Sequence, residues 1–131
     1  MGYIYFNNNP FKTPSGDCVV RALSKLFNQT WDETYTGLCL NGIAMGQMPS
    51  ANIVHIEYMK QRGYEMHTLS SICPDCITVK EFSERFPRGK YLLAMGDHVV
   101  ALIDGSYYDI FDSGQEIVVY YFTQSKKRKE N

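Results

Sequence analysis

The chain places a cysteine at the start of a predicted helix, in the stretch Ser15-Gly16-Asp17-Cys18-Val19-Val20-Arg21-Ala22-Leu23. Apolar residues continue at helical spacing through Leu26, which predicts a helix over about 17–27. A thiol in the first turn of a helix lies at the positive end of the helix dipole, which favours the thiolate and lowers the pKa. Cys18 is therefore a candidate nucleophile, and a small buried core residue is the structural alternative.

Far downstream, a histidine and two aspartates lie in strand-like segments that read Asp97-His98-Val99-Val100-Ala101-Leu102-Ile103 and Tyr108-Asp109-Ile110-Phe111-Asp112-Ser113. A nucleophilic thiol needs a base and a third group that orients the base. The sequence offers His98 as the base and Asp112 as the orienting carboxylate. A three-residue turn at 104–106 places Asp112 opposite His98. A two-residue turn moves Asp112 to the other face and leaves Asp109 as the alternative.

The period of the apolar pattern changes from helical to strand-like along the chain. After a short strand at Tyr3–Phe6, helices are predicted at 17–27, from the Thr30 capping box to about 40, from Ser50 to Gly63, and from the Thr78 capping box to Pro87, with a loop at 41–49. Four strands are then predicted at Tyr91–Met95, His98–Ile103, Tyr107–Phe111 and Ile117–Phe122. We therefore expect an α+β fold, with N-terminal helices on a C-terminal antiparallel sheet, in a single domain over 1–125.

Composition narrows the classes of partner. The chain has 131 residues, 44% of them hydrophobic, and a net charge of −1, which gives no general case for nucleic-acid binding. No segment is long and apolar enough for a membrane span, and no signal peptide is visible, so a cytoplasmic protein with free thiols is expected. The basic segment at 126–131 is predicted to be a disordered tail.

A second pair of cysteines, Cys73 and Cys76, has the two-residue spacing of a metal knuckle or a redox pair. A structural zinc site needs four ligands, and His67 and Cys39 are the residues left to complete one. An ordinary loop is the simpler interpretation, and no metal or other cofactor is expected.

The order of these motifs resembles the papain-like cysteine peptidase superfamily. The run at 97–100 followed by Phe111-Asp112-Ser113 is similar to the histidine and aspartate blocks of bacteriocin-maturation peptidases. The run at 15–23 looks like the nucleophile block of ovarian-tumour-type deubiquitinases. The chain also resembles small papain-like proteins of Gram-positive bacteria and their phages.

The resemblance implies a papain-like fold in which Cys18 is the nucleophile, His98 the general base and Asp112 the orienting carboxylate. Papain-like peptidases place an oxyanion-hole glutamine about six residues before the cysteine, where this chain has Lys12. The replacement donor would be an amide of Gly16 or Asp17, or the side chain of Asn9 or Thr13.

Two functions follow from the resemblance. One is a cysteine-dependent peptidase or isopeptidase that acts on a peptide or protein. The alternative is an inactive papain-like module that holds a peptide or a host protein in its cleft. Neither the identity of the substrate nor the oligomeric state follows from the sequence.

Overall fold

The computed structural model describes residues 2–125, which form four helices and a six-stranded sheet, so the α+β class is confirmed. The elements in chain order are β1 (Gly2–Tyr5), α1 (Cys18–Leu26), α2 (Trp31–Met45), α3 (Asn52–Gln61), β2 (Tyr64–Thr68), α4 (Val79–Arg85), β3 (Lys90–Ala94), β4 (Val99–Ile103), β5 (Ser106–Asp109) and β6 (Tyr120–Gln124). The basic segment predicted to be a disordered tail, 126–131, lies outside the described residues.

The sheet has the strand order β1-β5-β4-β3-β6-β2. All neighbouring strands are antiparallel except β1, which pairs parallel to β5 with Gly2 beside Ser106. The sheet is therefore mixed, and the prediction of an antiparallel sheet is wrong at this edge. Parallel neighbours need a long crossover, and here the four helices and strands β2, β3 and β4 lie between β1 and β5 in the chain.

Apolar side chains cover both faces of the sheet. One cluster joins α1, α2 and α3 to one face, through residues that include Leu23, Leu38, Val54, Ala94 and Phe122. The other cluster lies on the opposite face beneath α4 and includes Phe82, Leu93, Val100, Leu102 and Val118. Consecutive strand residues such as Leu92 and Leu93 belong to different clusters, as the two-residue period of a strand requires.

Local signals set most helix boundaries. Thr30 with Glu33 and Thr78 with Glu81 form the predicted capping boxes. Helix α2 continues to Met45, however, and ends at Gly46 in the left-handed region, so the predicted loop at 41–49 begins too early. Helix α3 is preceded by Ala51 and not by Ser50. Within residues 2–125, no helix is long and apolar enough to cross a membrane.

Cys73 and Cys76 form a disulfide, and Cys18 and Cys39 are free. The expectation of four free thiols is therefore wrong for one pair, whose Cα atoms are 4.6 Å apart, within the ordinary span of a disulfide. The bonded sulfurs are not thiolates and so do not act as the metal ligands considered above. Within the described chain, no group of three or more His, Cys, Asp or Glu side chains is arranged to hold a metal ion.

Candidate active site

Cys18 is the first residue of α1, and its side chain is half-buried. The chain enters the helix through Gly16, whose φ of 66° lies in the left-handed region that glycine adopts without strain. Asp17 is the N-cap residue, but its side chain does not cap the helix. The first-turn amides therefore donate no hydrogen bond to the N-cap side chain, and they lie beside the thiol.

His98 reaches the site from a tight hairpin between β3 and β4. The Met95 amide donates to the His98 carbonyl at 2.8 Å, so the turn consists of Gly96 and Asp97 alone, and His98 is the first residue after it. The imidazole side chain is 16% exposed. The ring of Phe111 covers it, with 5.1 Å between ring centroids.

Asp109, the last residue of β5, holds the imidazole. Nε2 of His98 donates to Oδ2 of Asp109 at 2.6 Å, and the hydroxyl of Ser113 donates to the same oxygen at 2.9 Å. The amide of Ile110 donates to Oδ1 at 2.8 Å, and Arg21 lies 3.5 Å from it. The carboxylate side chain is 2% exposed, and these donors compensate for its burial.

The prediction that Asp112 faces His98 is wrong. Ile103 pairs with Ser106, so the hairpin turns through two residues, Asp104 and Gly105. Both have positive φ, of 49° and 83°, as a type I′ turn requires. In this register Tyr108 pairs with Ala101, so the next pair is Asp109 with Val100. Asp109 therefore lies on the same hairpin face as His98 and diagonally across from His98.

Asp112 has a structural role instead. Its Oδ1 accepts hydrogen bonds from the Tyr107 hydroxyl at 3.2 Å and from the Gly114 amide at 2.9 Å. These contacts fix the turn that follows β5. Asp112 thereby helps to place Ser113, and through it Asp109.

Cys18 and His98 line the same two pockets and each shifts the pKa of the other, so the thiol and the imidazole lie side by side. Because Nε2 binds Asp109, Nδ1 is the ring nitrogen left for the thiol. Burial raises the pKa of Cys18, but hydrogen bonds with His98 and the Val99 amide, together with the charges of His98 and Arg21, lower it below its ordinary value. Burial lowers the pKa of His98, but hydrogen bonds with Asp109 and Cys18 and their negative charges raise it to about 9. Both shifts favour a thiolate–imidazolium pair.

Of the two predicted side-chain donors for an oxyanion, Asn9 is occupied elsewhere, whereas Thr13 lies in the cleft. The Asn9 amide nitrogen donates to the Thr13 carbonyl at 3.3 Å and to Asp17 Oδ2 at 3.2 Å. Lys12, at the position of the expected glutamine, donates its Nζ to the Asn7 carbonyl. Thr13 lines the cleft next to Cys18. The first-turn amides of α1 and the Thr13 hydroxyl are therefore the oxyanion donors that the site offers.

Asp17 anchors the helix start. Its carboxylate accepts hydrogen bonds from Asn9, from the indole Nε1 of Trp31 at 2.8 Å and from Arg21. Arg21, Trp31 and Ser113 carry no role that the sequence predicts. The one local signal was the spacing of Asp17 and Arg21, which places them on the same helix face.

Two pockets meet at Cys18 and His98, and both side chains line each of them. The first, here called the α2-side pocket, has a volume of about 450 Å³ and is lined by Trp31, Tyr35, Leu38, Met48, Met95 and Tyr120. The second, the hairpin-side pocket, has a volume of about 640 Å³, and its walls include Tyr5, Lys12, Thr13, Ile110 and Phe111. Together they form a cleft that extends on both sides of the thiol.

Comparison of the chain with protein-family profiles, with curated proteins and with solved structures finds no match. No similar protein therefore supports the papain-like resemblance, and it stays a prediction. The chemistry of the site follows from the geometry above.

Proposed function

We propose that this protein is a cysteine-dependent acyl-transfer hydrolase, a peptidase or isopeptidase of the papain-like type. The observation that supports this most directly is that Cys18, His98 and Asp109 come together in one site. The thiol lies at a helix start, in the same pocket walls as an imidazole, and that imidazole is held at 2.6 Å by a buried carboxylate. A nucleophile, a base and an orienting group in contact are the components that covalent acyl transfer requires.

In the first half of the reaction, the Cys18 thiolate attacks the carbonyl carbon of an amide, and a carbon–sulfur bond forms. The first-turn amides of α1 stabilise the negative charge that develops on the carbonyl oxygen. The His98 imidazolium then gives its Nδ1 proton to the leaving nitrogen as the carbon–nitrogen bond breaks. The products are a free amine and a thioester on Cys18.

In the second half, neutral His98 takes a proton from water, and the resulting hydroxide attacks the thioester. The carbon–sulfur bond breaks, a carboxylic acid is released, and the thiolate–imidazolium pair is restored. Asp109 accepts the Nε2 hydrogen bond throughout and stabilises the imidazolium whenever it forms.

The cleft supports a peptide as the substrate. It extends to both sides of Cys18, so a chain can continue past the scissile bond in both directions. The α2-side pocket presents two aromatic side chains of α2, Trp31 and Tyr35, together with Met48. Such a surface binds a large apolar side chain of the substrate by excluding water from it.

The alternative, a binding module without activity, is favoured by one observation. Lys12 stands at the position of the glutamine that papain-like peptidases use, and its Nζ is bound to the Asn7 carbonyl. An oxyanion hole without the glutamine donor is weaker by the contribution of one hydrogen bond.

The proposal is tested by the rate at which iodoacetamide labels Cys18. Cys39→Ser leaves Cys18 as the one free thiol in residues 2–125, because Cys73 and Cys76 are bonded to each other. At pH 6, the enzyme proposal is supported if Cys18 is labelled faster than free glutathione and if His98→Ala strongly reduces that rate. If Cys18 is labelled at the same rate as glutathione, and His98→Ala does not change that rate, the enzyme proposal is contradicted and the binding module remains.

Hydrolysis is the second test. The purified protein is incubated with a mixture of unmodified peptides, and new termini are identified by mass spectrometry. Cleavage that Cys18→Ala abolishes supports the peptidase assignment. The absence of cleavage, together with a thiol of ordinary reactivity, contradicts it.

A further inference from the structure

Arg21 connects two carboxylates that belong to different parts of the candidate active site. One guanidinium nitrogen binds Asp17 at the start of α1, and the other lies 3.5 Å from Asp109 at the end of β5. The Arg21 side chain is 7% exposed, and the two carboxylate side chains are 7% and 2% exposed. A buried ion-pair triad of this kind joins the element that carries Cys18 to the residue that orients His98.

We infer that Arg21 is a positioning residue, whose guanidinium fixes the α1 start against Asp109 and whose charge favours the Cys18 thiolate. The inference rests on the proposed function, since it assigns Arg21 a role in the readiness of that thiol to react. Arg21 touches neither the carbonyl carbon nor the leaving group in the mechanism above. It acts through Asp17, Asp109 and the local electrostatic potential.

The charges around Cys18 explain why a cation is needed. The ionisable side chains that line the cleft at Cys18 are Lys12, Asp17, Arg21, Asp97, His98 and three tyrosines. Asp17 and Asp97 line the same cleft as Cys18, and Asp109 lies behind His98. Lys12 is exposed and bound to Asn7, whereas Arg21 is buried and pairs with both Asp17 and Asp109. The charge of Arg21 lowers the pKa of Cys18 directly.

Arginine suits this position better than lysine does. Its planar guanidinium presents separate N–H donors, so it contacts two carboxylates at once and stays charged when buried. Without the guanidinium, the buried carboxylates of Asp17 and Asp109 would both lose a cationic partner, and Asp109 would keep His98 alone. Their combined negative potential would oppose the formation of a thiolate on Cys18.

The test is the pH dependence of iodoacetamide labelling of Cys18 in full-length Cys39→Ser protein, with Arg21→Met, Arg21→Lys and a control. Arg21→Met should move the midpoint of the thiolate titration up by about one pH unit and slow labelling at pH 6 about tenfold. Arg21→Lys keeps the charge but not the contact with both carboxylates, so its midpoint should lie between that of the Cys39→Ser parent and that of Arg21→Met. Arg62→Met is the matched control, because Arg62 lies over the Tyr58 ring and lines neither pocket.

The outcomes separate this inference from the proposed function. A wild-type midpoint at the free-thiol value overturns both. The wild-type midpoint can also be lowered in a way that depends on His98 and yet be the same in folded Arg21→Met. This result overturns the inference alone, and Arg21 is then a structural residue. If Arg21→Met does not fold by circular dichroism, Arg21→Lys decides: a raised midpoint supports the inference, and an unchanged one overturns it.

Discussion

The carboxylate of Asp109 accepts a hydrogen bond from Nε2 of His98 at 2.6 Å, from a position diagonally across the β4–β5 hairpin. This contact turns Nδ1 toward Cys18 and raises the pKa of the imidazole to about 9 against the effect of burial. Asp112, three residues further along, binds Tyr107 and Gly114 instead. The two aspartates therefore provide a matched pair for mutation.

We predict that Asp109→Asn lowers the reactivity of Cys18 and that Asp112→Asn does not. The amide can still accept a hydrogen bond from Nε2, but it lacks the negative charge that holds the imidazolium. The pKa of His98 should fall by about one unit from about 9, and the imidazole should be held less firmly against Cys18, so iodoacetamide labelling at pH 6 should slow severalfold. Labelling followed by intact-mass spectrometry measures this rate. Asp112→Asn should stay within about twofold of wild type, and a larger loss there than in Asp109→Asn would restore Asp112 as the partner of His98.

The pH profile of labelling follows from the two shifted pKa values. The pKa of Cys18 is lowered, so the thiolate forms, and labelling rises, at a pH below the roughly 8.5 of a free thiol. The ion pair then persists until His98 loses its proton near pH 9. In His98→Ala the rise should move back toward the free-thiol value. Coincident wild-type and variant profiles would show that the two groups do not interact in solution.

The local features of the fold could be predicted, but the register of the decisive hairpin could not. Each capping box depends on two residues three positions apart, and both were predicted. The hairpin register depends on whether Ser106 belongs to the turn or to β5, and a shift of one residue exchanges the faces. The positive φ angles of Asp104 and Gly105 select the two-residue turn. Asp-Gly is a favoured sequence for that turn, so the signal was present but competed with the three-residue alternative.

Long-range partners were beyond the sequence. Arg21 and Asp109 are 88 residues apart and meet only because α1 packs across β4 and β5. The same holds for Trp31, whose indole binds Asp17 from the start of α2. Cys18 and His98 were identified because each carries a local signal, a helix start and a strand start. Arg21, Ser113 and Trp31 act through tertiary contacts, which the periodicity of a sequence does not predict.

His55 should make the protein sensitive to mild acid. Its side chain lies in the core with 1% exposure, Nε2 is 3.1 Å from the Tyr120 hydroxyl, and burial lowers the pKa to about 4. Because the unfolded chain binds a proton near pH 6.5 and the folded chain does not, the contribution of His55 is complete above that pH. It is lost as the pH falls from 6.5 to about 4, and the loss reaches up to about 3 kcal/mol.

Urea unfolding at pH 7 and pH 4.5 measures this loss. His55→Gln should lower the free energy of unfolding at pH 7 but make it less dependent on pH. His67→Gln, which removes an exposed histidine of β2, should retain the wild-type dependence. The pKa of His98 is raised, so its contribution is lost only as the pH rises from 6.5 to about 9, outside this acid range. If the free energy of unfolding changes equally with pH in His55→Gln and in wild type, His55 is not a neutral buried histidine.

The α2-side pocket should make peptide reagents with a large apolar residue react faster with Cys18 than small reagents do. Two dipeptidyl chloromethyl ketones test this: one carries phenylalanine next to the reactive group, and the other carries it one residue before. The diglycine chloromethyl ketone serves as the reference. Burial of an aromatic side chain by Trp31, Tyr35 and Met48 contributes about 1.5–3 kcal/mol, so at least one of the two phenylalanine reagents should react about tenfold faster than diglycine. Each rate is divided by that of iodoacetamide, which corrects for the reactivity of the thiol itself.

Two variants of α2 locate the preference. Tyr35→Ala removes one wall of the pocket and should reduce the phenylalanine preference severalfold, with little effect on the iodoacetamide rate. Leu40→Ala is the matched control on the same helix, because Leu40 is 61% exposed and does not line the pocket. If the two variants reduce the preference equally, or if phenylalanine gives no advantage at either position, the pocket does not select the substrate. A preference that Tyr35→Ala removes and Leu40→Ala retains identifies α2 as the element that binds the apolar side chain of the substrate, and the faster of the two reagents gives the position of that side chain.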